Sequence, residues 1–107
     1  MFLLIFTVGS AWGWGAAPSK PTPESYLSLS LSYHQRGLYK ECISAAEQAI
    51  KLRPNYAEAY NNIGSAYNSM QQWDKAIVAL EKALAIKPDF QLARNNLNLA
   101  KSKKSRR

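Results

Sequence analysis

Residues 47–56 read EQAIKLRPNY, and 34 positions further on, at residues 81–90, the chain reads EKALAIKPDF. The same displacement lays Glu24 on Glu58, Tyr26 on Tyr60, Tyr33 on Tyr67, Ile43 on Ile77, Ala45 on Ala79, Glu47 on Glu81, Ala49 on Ala83 and Pro54 on Pro88. A period of this length belongs to stacked supersecondary units, each burying its apolar face only against its neighbours.

Within one period the apolar spacing predicts two helices. Tyr60, Ile63, Tyr67 and Met70 follow one another at helical intervals, and so do Trp73, Ile77, Leu80 and Leu84. Pro54 and Pro88 stop the preceding helices, and Asp74 stands in a first turn where the helix dipole favours a carboxylate. Asn55 followed by Glu58 predicts a capping box. Gly64 falls between Tyr60 and Tyr67 on the packed face, where a missing side chain lets the partner helix approach. Its helix cost, about 1 kcal/mol against alanine, is offset by closer packing.

The chain has 107 residues and one cysteine, Cys42, so a single domain without an intrachain disulfide is expected. One histidine, His34, cannot build a Cys/His metal cluster with it, and no metal or cofactor is expected. The net charge of +7 is concentrated: Lys101, Lys103, Lys104, Arg106 and Arg107 supply five of the fourteen basic residues. Residues 23–100 balance eight Lys or Arg against all seven acids. The tail suits anionic lipid or nucleic-acid phosphates, or simply complements the last helix dipole; no aromatic follows Phe90 to stack on bases, so nucleic acid is the weaker expectation.

Residues 1–17, MFLLIFTVGSAWGWGAA, carry no charge and precede the proline-rich PSKPTP. They resemble a secretory signal with Phe2–Val8 as its apolar segment, although no basic residue stands between Met1 and Phe2. Export or membrane attachment is the expectation for localisation. The alternatives are a membrane-span remnant with Trp12 and Trp14 at the headgroups, an apolar leader packed on the domain, and a cytoplasmic protein.

The repeat resembles the tetratricopeptide repeat family, whose unit carries W-x-x-L-G-x-x-Y, then A-x-x-x-F, then A and P. Residues 57–90 match through Tyr60, Ile63, Gly64, Tyr67, Ala76, Leu80, Ala83 and Pro88. Residues 23–56 match through Tyr26, Leu29, Tyr33, Ala49 and Pro54, and depart from the pattern at Ser30, Cys42 and Ala46. Residues 91–107 supply a further first helix, continued by Ala93, Leu97 and Ala100, and the basic tail. The resemblance implies an all-α fold of antiparallel helix-turn-helix repeats forming a short right-handed solenoid with a C-terminal capping helix. It implies a non-enzymatic protein-interaction module, with the first helices forming a concave groove.

On the second unit's first helix, Glu58, Asn61, Asn62, Ser65, Asn68 and Ser69 share an arc about 120° wide away from the apolar stripe. That arc is polar yet almost uncharged, whereas a solvated helix face more often carries the better helix formers Lys and Glu. The asparagine pair recurs 34 residues later as Asn95 and Asn96. Some members of the family hold an extended peptide by its backbone with an asparagine ladder, and Asn62 and Asn96 resemble its rungs. The candidate peptide-binding groove is therefore Asn61, Asn62, Ser65, Asn68, Ser69, Asn95 and Asn96; the structural alternative is that these amides bridge adjacent helices. The family's dicarboxylate clamp for chaperone tails needs Lys and Arg where this chain has Leu27, Leu31, Leu92 and Asn96, and only Asn62 matches. Leu27 and Leu31 are expected to be exposed, covered by the leader, a second copy or a ligand. Self-association would also supply the neighbour that so short a stack lacks.

No catalytic constellation is visible. His34 is expected on a solvated polar face, Cys42 as an inert core thiol, and Glu47 and Glu81 as recurring surface or interhelical contacts. A protein or peptide partner is the leading expectation. The competing ones are a membrane-surface or nucleic-acid-associated protein acting through its tail, and the repeat region of a larger membrane-bound assembly.

Overall fold

A computed structural model describes residues 20–106. The leader, and with it the expected signal or anchor, lies outside the described residues. Five helices follow one another: α1 Pro23–Gln35, α2 Tyr39–Leu52, α3 Ala57–Ser69, α4 Trp73–Ile86 and α5 Gln91–Lys104. Paired helices α1/α2 and α3/α4 stack with α5, and the first helices α1, α3 and α5 also meet one another in order. None of these helices is long and apolar enough to cross a membrane.

The helix ends show where local chemistry acts. Thr22 caps α1 in a reciprocal box: Ser25 N donates to Thr22 Oγ1 at 3.0 Å and Thr22 N to Ser25 Oγ at 2.9 Å, with Pro23 in the first turn. The capping box expected at Asn55 and Glu58 does not form. α3 starts at Ala57, so Tyr56 occupies the cap and Asn55 stands one residue too early. The loops α1–α2 and α3–α4 each turn on one residue with positive φ, Gly37 at 76° and Gln71 at 60°, again 34 positions apart.

The core is lined mostly by alanine, with aromatic rings at its margins. Ala46, Ala49, Ala59 and Ala66 join α2 to α3, and Ala76, Ala83, Ala93 and Ala100 join α4 to α5. Such small residues let helix axes approach closely. Gly64 behaves as expected: a Cβ built there would lie 2.4 Å from Leu80 Cγ. The first unit's three departures from the family pattern form one compensating set. Ser30, Cys42 and Ala46 stand 34 positions before Gly64, Ala76 and Leu80, and all six are buried. Ser30 and Cys42 are larger than Gly64 and Ala76, and Ala46 is smaller than Leu80.

Within each unit the two helices are tied by a repeated stitch. Arg53, just past α2, pairs with Glu24 of α1 and stands 4.5 Å over the Tyr56 ring. One period later Lys87 pairs with Glu58 at 3.4 Å and stands 4.9 Å over the Phe90 ring. At the C-terminal end Lys104 meets Asp74 at 2.6 Å, so the start of the basic tail is fastened to α4.

The outer faces of α1 and α5 differ in polarity: α1 carries Leu29, 41% exposed, between two serines, and α5 is polar. Ala59, Ile63 and Ala66 of α3 pack in one cluster with α2; their α1 equivalents are Ser25, Leu29 and Ser32. Tyr60, Gly64 and Tyr67 pack toward α4; their α5 equivalents, Arg94, Asn98 and Lys101, are exposed.

Candidate functional site

The polar arc of α3 lies on the side where first helices meet, and the structure shows what each side chain does there. Asn61 is only 4% exposed, and its Oδ1 accepts from Asn96 Nδ2 at 3.0 Å. Asn62, half-buried, donates from Nδ2 to Ser30 Oγ at 3.4 Å. Asn62 and Asn96 occupy equivalent positions, and each reaches back to the preceding first helix. Asn68 is buried and donates from Nδ2 to the Asn96 carbonyl at 3.0 Å, while its Oδ1 has no hydrogen-bond partner among the described residues. Asn95 is exposed, its Oδ1 accepting from Gln91 Nε2 at 2.9 Å.

Asn61 and Asn68 are thus more enclosed than the sequence suggested, because α5 closes over them. The amides of Asn61, Asn62, Asn68 and Asn96 bridge adjacent helices. A buried amide left unpaired costs about 1–3 kcal/mol, which favours this internal use.

His34 is not a solvated bystander. It is half-buried, with Nε2 3.1 Å from Ser65 Oγ and 3.4 Å from Ser69 Oγ, and its ring meets Tyr39 edge-on at 5.2 Å. It joins α1 to α3. Its place in that seam could have been read from its spacing three residues after Leu31, which shares a repeat position with Ser65. Deeper in the same seam Ser30 Oγ and Cys42 Sγ are 3.2 Å apart, and Cys42 Sγ donates to the Asn62 carbonyl at 3.8 Å. Burial pushes the Cys42 thiol up, as expected of an unreactive core cysteine.

Leucines dominate the exposed part of the wall. Leu31 is 49% exposed on α1, and Leu92 and Leu99 are 56% and 44% exposed on α5. Leu31 and Leu99 lie one period either side of Ser65. Leu27, by contrast, packs against the core and is half-buried. The wall is therefore a central strip of serines, imidazole and engaged amides between two apolar flanks. No cluster of three or more metal-ligating side chains occurs among the described residues.

Known proteins give a consistent picture. A family model described as tetratricopeptide repeat matches residues 57–90, and one described as TPR repeat matches residues 30–71. The crystal structure of MamA protein is 37% identical with a TM-score of 0.74, covering 78% of this chain and 46% of that one. The chain thus spans less than half of that relative. The first TPR of Spaghetti (RPAP3) bound to the HSP90 peptide SRMEEVD is 21% identical with a TM-score of 0.74, covering 78% and 67%. The yeast Sti1 TPR2B-domain:pHsp70 complex is 19% identical with a TM-score of 0.68, covering 79% and 70%. At these last identities the likeness concerns the fold. No curated protein matches significantly. The two matched repeats and the helix pairs that carry them place the chain in one family: it belongs to the tetratricopeptide repeats.

Proposed function

We propose that this chain is a non-enzymatic adaptor that binds a segment of another protein on the inner wall formed by α1, α3 and α5. The carrying observation is the exposure of Leu31, Leu92 and Leu99 beside a polar strip on the side where the first helices meet. The bound peptides of structurally similar domains support a protein or peptide partner as the general class. The wall would act through its leucine flanks, with Ser69, Asn95 and the remaining amide capacity of Asn62 offering polar contacts. Asn61, Asn68 and Asn96 hold the wall in shape. A chaperone tail gains no support, since Leu27, Leu31 and Leu92 stand where its carboxylates would need cations.

Selection of binders from a random peptide library tests this reading. Peptides that bind the intact protein should lose at least tenfold in affinity against Leu31→Asp/Leu99→Asp and keep it against Leu52→Asp, an exposed site on α2. Equal binding to both variants would remove the inner wall from the account. The membrane expectation for the leader and tail calls for a separate measurement, sequencing of the mature N-terminus together with vesicle sedimentation.

A further inference from the structure

The opposite side of α3 carries a second surface. Helices α2 and α4 both pack on α3 and do not meet each other. Alongside α4 runs a groove of about 770 Å³ with Tyr60, Ile63 and Tyr67 as its floor and Lys75, Val78 and Lys82 along its α4 wall, and a second pocket shares Tyr60 and Ile63 and reaches Glu47 and Lys51 of α2. At about 100° per residue, Tyr60, Ile63 and Tyr67 point roughly 130° away from Asn61, Ser65 and Asn68, so this groove is separate from the inner wall.

Its charge is arranged asymmetrically. Lys75 Nζ stands 5.8 Å from the Tyr67 ring centroid and Lys82 Nζ 5.9 Å from that of Tyr60, so both ammonium groups are held over the floor. Asp74 and Glu81 also edge the groove but leave α4 on the other flank of Val78, where Asp74 meets Lys104. On the α2 wall Glu47 and Lys51, one turn apart, leave no net charge. Val78, between the lysines, is 69% exposed.

We propose that this outer groove is a docking site for an amphipathic helix of a partner protein, with two acidic residues seven positions apart facing Lys75 and Lys82 and apolar residues between them on Val78, Tyr60 and Tyr67. Charge complementarity selects this occupant. Seven helical residues rise about 10.5 Å, so carboxylates at that spacing match lysines at the same spacing on α4. An open trough along two helices suits a helix, whose apolar face covers the aromatic floor while its acids stay at the rim.

The test uses a stapled helical peptide with Glu at two positions seven apart and Leu three and four residues after the first, titrated by fluorescence anisotropy against the full chain. Binding is expected to fall at least tenfold when both glutamates become lysines, and equally when the protein carries Lys75→Glu/Lys82→Glu. The lysine peptide should regain affinity for that variant, an exchange that misfolding cannot mimic. Leu31→Asp should leave binding unchanged. The proposal is overturned if the glutamate peptide does not bind, if charge exchange restores nothing, or if Leu31→Asp abolishes binding.

Discussion

Gly64 backs directly onto the fully buried Leu80, with room for a hydrogen and none for a methyl group. Gly64→Ala should therefore destabilise the protein by about 1–2 kcal/mol, the overpacking cost exceeding the gain in helix propensity. In a Leu80→Ala background the same change should cost less, since the cavity receives the methyl. Urea denaturation of the four proteins measures this coupling. A rise in stability on Gly64→Ala alone would contradict the packing.

The Asn61–Asn96 amide pair joins α3 to α5. Asn96→Ala leaves a buried Oδ1 on Asn61 without its donor and should cost about 1–3 kcal/mol. The double change Asn61→Ala/Asn96→Ala should cost less than the sum of the single ones, because the orphaned group is removed as well. Chemical denaturation in a double-mutant cycle reads the difference.

Acid should remove the contribution of the first stitch. The hydrogen bond from Arg53 is the main cause holding the Glu24 carboxyl below its ordinary value. A depressed folded value means that its contribution is complete above the unfolded value and is lost as pH falls through the folded one. Glu24→Gln should flatten the acid limb of the stability profile below the ordinary glutamate value of about 4.3, measured by thermal melts across buffers. Identical acid limbs would show that this ion pair contributes nothing.

Gln71 holds a left-handed backbone that Gly37 adopts in the equivalent loop without penalty. Gln71→Gly should stabilise the protein by about 0.5–1 kcal/mol, raising Tm by a few degrees. Gly37→Gln should do the reverse. Calorimetry of both variants checks the pair.

The architecture was legible because a period and an amphipathic stripe survive in one dimension: Tyr60, Ile63, Tyr67 and Pro88 announce themselves by spacing alone. Gly64 was readable for the same reason. The amides were harder. Whether Asn96 faces a peptide or Asn61 depends on how closely α5 approaches α3, which is set by Ala93, Leu97 and Ala100 acting together rather than by any local pattern. Caps failed on a smaller scale, since moving the helix start by one residue takes Asn55 out of range. The Arg53–Tyr56 and Lys87–Phe90 stitches went unread because an Arg for Lys and a Tyr for Phe hide the recurrence from a count of identities.

The amide and imidazole bridges between α1, α3 and α5 have a mechanical result. Three rods cross-braced along one side form a plate of set curvature, so under the proposed function an incoming chain would meet spacing that is already decided. The ordering cost of such recognition would then fall mainly on the guest. Lengthening a brace by one methylene, as in Asn96→Gln, would bend the plate and shift which guests fit, without touching any residue that they contact.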